Sequence, residues 1–123
     1  MSVLLKTDAA RAAIWAAYFA SHAPDIDFHV WPDMGDPGEV EYFISWQITE
    51  QLLQSMPQLR ALFITGAGID HVDLSLVPDH VEIVRMVEPG IVNGMIEYVT
   101  LSVLALHRNL FEYSKQQAAS MWN

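Results

Sequence analysis

Short apolar runs separated by polar, glycine- and proline-containing breaks recur along the first ninety residues. Val3–Leu5 predicts a first strand. Asp8 caps an Ala-rich helix over Ala9–Ala20 that carries Ile14, Trp15, Tyr18 and Phe19. Asp27–Trp31 alternates polar and apolar residues as a strand does and is closed by Pro32. Asp33–Gly38 predicts a loop, Val40–Trp46 a third strand, and Thr49 the cap of a helix with Ile48, Leu52, Leu53 and Met56 on one side. Leu62–Ile64 and Val81–Val87 complete a set of five strands, with a short helical turn expected over Asp70–Leu76. Strands alternating with helices at this spacing predict an α/β fold, a parallel sheet of about five strands flanked by helices.

From Ile91 to about Ser120 the period changes. Met95, Val99, Val103, Leu106, Leu110 and Tyr113 fall on one helical face, and Tyr98, Leu101, Leu104 and Ala105 make the middle apolar nearly all round. One continuous helix of roughly 40 Å is expected, at ~1.5 Å per residue. A helix apolar on every side is buried on every side, so a partner subunit or another domain is expected against it. The expected division is residues 1–90 as one domain and 91–123 as the long helix and its end. A chain that stops immediately past such a helix is expected to be cut from something longer.

Between the fourth strand and the expected turn stands Thr65-Gly66-Ala67-Gly68. Two glycines in three residues let backbone N–H groups approach a ligand, and in an open α/β sheet ligands bind beyond the carboxyl ends of the strands. An anion-holding loop and a tight turn without a ligand both fit. A dinucleotide site fits less well: the third place of a G-x-G-x-x-G pattern holds His71, and Pro78 follows too soon for a long crossover helix.

Net charge is −9, from six basic and fifteen acidic residues, and the six cations are scattered singly. That argues against nucleic acid and acidic membrane surfaces as partners. No apolar run is expected to reach bilayer length, the nearest being Tyr98–Leu106, and the N-terminus has no signal-peptide pattern. With no cysteine, disulfides and zinc–thiolate sites are excluded, and a cytoplasmic location is the default. His71, Asp73, Asp79 and His80 follow no metal-ligand spacing, and no nucleophile elbow is present. Asp70 and Asp73 read as helix-start caps. Glu97, in the first turns of the long helix, fits a structural role near the site better than a catalytic one, and Trp46 either lines a pocket or closes the core.

Thr65–Asp70, Val84–Tyr98, Gln116-Gln117 and Trp122 together resemble the D-2-hydroxyacid dehydrogenases, nearest to their glyoxylate/hydroxypyruvate reductase A branch. The resemblance implies a flavodoxin-like, doubly wound substrate domain, joined in the intact enzyme to a Rossmann domain that binds NADPH or NADH and is absent from this chain. It implies a 2-ketoacid substrate whose carboxylate is held by main-chain N–H groups at Ala67 and Gly68, with Ile69 beside them and Trp46 lining the pocket. It further implies a homodimer through the long helix, with Trp122 at the partner's pocket. The family's catalytic Arg, Glu and His lie beyond Asn123, so no catalytic residue, no cofactor contact and no metal ligand is expected within the chain, which alone would be inactive. A non-enzymatic binding or dimerisation module on the same fold is the alternative.

Overall fold

The computed structural model describes residues 1–123, in two compact units, Met1–Val87 and Glu88–Asn123. In the first unit the five expected strands form at Ser2–Lys6 (β1), Asp27–Val30 (β2), Val40–Ser45 (β3), Ala61–Ile64 (β4) and Glu82–Arg85 (β5). All pair in parallel, in the order β2-β1-β3-β4-β5, the flavodoxin-like arrangement. Strand alternation divides the apolar side chains between the two faces.

Leu4, Phe43, Leu62 and Ile64 point to one face and are almost completely buried there. The helix over Glu50–Gln54 (α2) contributes Leu53, and Met56 and Leu59 follow it into the same core. Thr49 caps this helix by accepting from the Leu52 N–H at 3.3 Å, as its sequence position predicts. Val3, Leu5 and Ile44 occupy the other face with Ile26, Phe28, Tyr42 and Phe63. The helix over Ala9–His22 (α1), capped by Asp8, reaches that face through a Phe19–Phe28 stack with ring centroids 4.2 Å apart. Its cover is partial: a groove of about 500 Å³ runs along Val3, Trp15, Tyr42, Ile44 and Phe63. Parallel sheets are normally covered on both faces, and on this side Tyr42 and Phe63 of β3 and β4 are only half-buried.

The expected helical turn over Asp70–Leu76 forms only as a single 3-10 turn at Leu74–Leu76. Asp73 is its cap, accepting from the Ser75 N–H at 3.0 Å and the Ser75 hydroxyl at 2.6 Å. Asp70 caps nothing. The connection from β4 to β5 is instead a pinned loop whose Val72, Val77 and Val81 are buried in the core beside Leu62.

In the second unit Glu88 caps a helix over Pro89–His107 (α3), accepting from the N–H groups of Gly90 and Ile91 at 2.9 and 3.0 Å. Pro89 stands in the first turn, where its missing N–H is of no consequence. The helix does not continue to Ser120. Asn109 adopts a left-handed conformation, φ 53°, and a second helix starts at Leu110–Ala118 (α4). Short polar side chains tolerate that conformation, which ends one helix and redirects the next.

Ala105 is the one buried residue of α3, while Met95, Ile96, Tyr98, Val99, Leu101 and Leu106 are each more than half exposed. By length and composition α3 is apolar enough to cross a bilayer, with a mean hydropathy of 1.4. This corrects the expectation that no segment reaches that length. Counting only uninterrupted apolar residues stops at Tyr98–Leu106, whereas the helix averages over isolated polar positions such as Asn93 and Glu97.

Candidate functional site

The site lies at the carboxyl ends of β3, β4 and β5, where the chain leaves the sheet. Ser45, the last residue of β3, is 1% exposed and folds its hydroxyl back on the exit. The hydroxyl donates to the Gln47 carbonyl at 2.6 Å and accepts from the Gln47 N–H at 3.2 Å. That small ring turns the backbone and carries Trp46 out beside the next loop. Across the sheet, the Thr65 N–H donates to the Ser45 carbonyl, and the Met86 N–H donates to the carbonyls of Ile64 and Gly66. The start of the Gly loop is thus tied to both neighbouring strands.

Gly66 is buried under the Trp46 ring. A methyl group there would sit 2.2 Å from Cζ3 of the indole, so this glycine is required for room, not for a left-handed backbone. Ala67 and Gly68 are exposed, and Ile69 is half-buried, its side chain packed on the core. The N–H groups of Ala67, Gly68 and Ile69 donate to no acceptor within the chain. Three consecutive unpaired donors on an anchored loop leave hydrogen-bonding capacity that a small oxyanion would take up. No helix begins here, so the help of a helix N-terminus is lacking and the loop amides act alone.

Charge around the loop comes from three residues. Arg85, at the end of β5, donates from its guanidinium to the Ala67 carbonyl at 3.3 Å and is in no ion pair. Asp70 brings a carboxylate oxygen to 3.4 Å from where a side chain on Gly68 would begin. His71 donates from Nε2 to the Trp46 carbonyl at 2.7 Å, and its ring stacks on the indole with centroids 4.0 Å apart and planes 14° apart. A carbonyl oxygen can only accept, so the Nε2 nitrogen carries the proton.

Trp46 is thus brought onto Gly66 and His71, which bracket Ala67, Gly68 and Ile69 in one loop cluster. Ser45, His71 and Arg85 complete it and were not anticipated as members. For His71 the sequence carried a hint, since it stands where a dinucleotide loop needs a small residue. The loop does not fit a dinucleotide: the His71 ring fills that third place, and no crossover helix starts after it. Glu97 lies on α3 with an exposed side chain, and Trp122 is fully exposed beyond α4.

No protein-family model matches the chain. Among curated proteins it is 30% identical over 118 residues to the glyoxylate/hydroxypyruvate reductase A of Yersinia enterocolitica, covering 91% of this chain and 37% of that protein. A crystal structure of the NADPH-dependent glyoxylate/hydroxypyruvate reductase of Sinorhizobium meliloti, in complex with NADP and sulfate, is 25% identical. It superposes with a TM-score of 0.74 over 99% of this chain and 40% of that one. A D-isomer specific 2-hydroxyacid dehydrogenase of Xanthobacter autotrophicus, in complex with NADPH, is likewise 25% identical, with a TM-score of 0.71 over 98% of this chain and 40% of that one. A probable 2-hydroxyacid dehydrogenase of Rhizobium etli, 24% identical, has the same fold at a TM-score of 0.81, over 99% of this chain and 39% of that one. The chain spans well under half the length of these relatives, and what it matches is their N-terminal region.

Proposed function

We propose that this chain is the substrate-binding domain of an NADPH-dependent 2-ketoacid reductase acting on glyoxylate or hydroxypyruvate. The observation that carries the reading is the row of unpaired N–H groups at Ala67, Gly68 and Ile69, walled by Trp46 and braced by Arg85. A carboxylate offers two oxygens to such donors, and each charge-assisted bond is stronger than a neutral one. With the carboxylate fixed, the adjoining keto carbon is held at a set distance from the loop, which is the positioning that a bimolecular reduction requires. The reduction adds a hydride to that carbon and a proton to its oxygen, giving the 2-hydroxy acid. Within the chain no residue is assigned to either transfer. NADPH binding and proton donation belong, in this reading, to a nucleotide-binding domain outside residues 1–123, and the chain by itself is inactive.

The exposed apolar surface of α3 supports a homodimer formed through that helix, with Trp122 free to reach a neighbour. Glu97 is placed in this reading as a structural group near the site. The likeness to bacterial reductases supports a cytoplasmic enzyme, with α3 covered by protein and not by lipid.

Calorimetric titration with oxalate, an unreactive mimic of glyoxylate, tests the reading. Wild-type chain is expected to bind saturably. Ala67→Pro, which deletes one amide donor, is expected to lose at least about tenfold in affinity, the scale of one charge-assisted hydrogen bond. Unchanged affinity in that variant, with its circular dichroism and melting intact, would contradict the proposal.

A further inference from the structure

The Trp46 indole is gripped on two sides by residues from the next loop. Gly66 lies beneath one part of the ring, close enough to exclude even a methyl group, and His71 stacks on it at 4.0 Å. The same histidine also bonds the Trp46 backbone carbonyl at 2.7 Å. Trp46 is nevertheless 48% exposed, so no core packing fixes its orientation. An exposed aromatic side chain that is not packed exchanges rotamers freely. Gly66 bounds one part of the ring, and His71 supplies the stack and the backbone hydrogen bond that hold the rest of it in place.

We propose that His71 is the positioning residue of this site, holding Trp46 as a fixed wall beside the anion loop and so limiting the acid it accepts to a short one. The inference rests on the reading of Ala67–Ile69 as the carboxylate holder. His71 serves two functions that other side chains can separate. Phenylalanine can stack and cannot donate; glutamine can donate and cannot stack flat against indole. With the wall in place, a ligand one methylene longer meets the part of the indole that His71 and Gly66 leave uncovered; with it released, the longer ligand fits as the shorter one does.

The test uses the 123-residue chain, its His71→Ala, His71→Gln and His71→Phe variants, and two probes, oxalate and the one-methylene-longer malonate. In the wild type oxalate is expected to bind about tenfold better than malonate, the discrimination one methylene can carry. His71→Ala is expected to bring that ratio to within about twofold, and to move the Trp46 indole N–H signal in nitrogen-edited NMR spectra. His71→Phe, which keeps the stack, is expected to restore most of the ratio, and His71→Gln less of it. A residue needed only for folding would lower both affinities together and leave the ratio alone, and that result overturns the proposal. An unmoved indole signal in His71→Ala also overturns it. Failure of the wild type to bind either acid overturns the carboxylate reading and the size-limiting role with it. In that case faster reorientation of the indole N–H in His71→Ala, read from nitrogen relaxation, would still establish the clamp on Trp46, which tells the two failures apart.

Discussion

The Trp46 indole lies directly over the backbone of Gly66, with Cζ3 2.2 Å from where a β-carbon would stand. That contact joins the exit of β3 to the exit of β4 and gives the Gly loop one solid wall. Gly66→Ala must therefore displace the indole or strain the loop. It is expected to destabilise the chain by about 1–3 kcal/mol, as overpacking does, and to shift the Trp46 indole signal. Urea unfolding of Gly66→Ala, Trp46→Ala and the double variant checks it: most of the penalty should vanish once the indole is gone.

Arg85 and Asp70 oppose one another at the loop, one cation bonded to the Ala67 carbonyl and one carboxylate beside Gly68. Both are exposed, so each acts through water. Arg85→Ala is expected to weaken oxalate binding, and Asp70→Asn to strengthen it. Each change should be about 1.5- to 5-fold, the range of exposed charge interactions, and should shrink with added salt. Calorimetry at two salt concentrations reads both the direction and the screening.

Three carboxyl groups titrate low in the folded chain. Asp73 lies below its ordinary 3.8, foremost because the Ser75 hydroxyl donates to it and then because the Ser75 N–H does. Asp8 is lowered chiefly by the Arg11 backbone N–H. Glu41 is lowered from 4.5 chiefly by its hydrogen bond from Arg60. A depressed folded value means that the stabilisation is fully present above the unfolded values and is lost as pH falls through the lower, folded ones. Thermal stability should thus be flat above about pH 5 and fall steadily below pH 4, given unfolded carboxylates near 4. In Asp73→Asn the acid limb should be shallower, as differential scanning calorimetry across pH 2.5–6 would record.

The face of α3 that carries Met95, Val99 and Leu106 is too apolar to remain in water at high concentration. The chain is expected to self-associate, with a sedimentation coefficient that rises with concentration. Val99→Glu or Leu106→Glu should return it to a monomer without changing its far-ultraviolet circular dichroism. A monomer at all concentrations in the wild type would rule out α3 as a self-association surface.

Much of the sheet was legible because strand signals are local: Val3–Leu5 and Leu62–Ile64 stand out as short apolar runs between polar breaks, although such runs do not say which residue faces which side. Caps were legible for the same reason at Asp8 and Thr49. The break after α3 was not, because Leu104–Tyr113 keeps helical spacing straight through it. Only the left-handed Asn109 interrupts the backbone, and Asn is also common within helices' ends and turns. The loop after β4 misled in the opposite way. Asp70 and Asp73 both look like caps, but three valines pull that segment into the core and leave room for one 3-10 turn. Of the candidate site, the Gly loop was readable from local residues, whereas Trp46 fitted a pocket wall and a core plug equally and was placed by the family resemblance alone. His71 and Arg85 join it through contacts spanning 25 and 18 residues, which no local pattern encodes.

The central claim is that main-chain N–H groups of the Gly loop hold a carboxylate. Backbone amide signals followed by NMR during an oxalate titration test it most directly. The account predicts saturable shifts at Ala67, Gly68 and Ile69 and at the Trp46 indole, with β1, α1 and α4 unmoved. A well-dispersed spectrum in which those four signals stay still at saturating oxalate, or move no more than the rest, would contradict it.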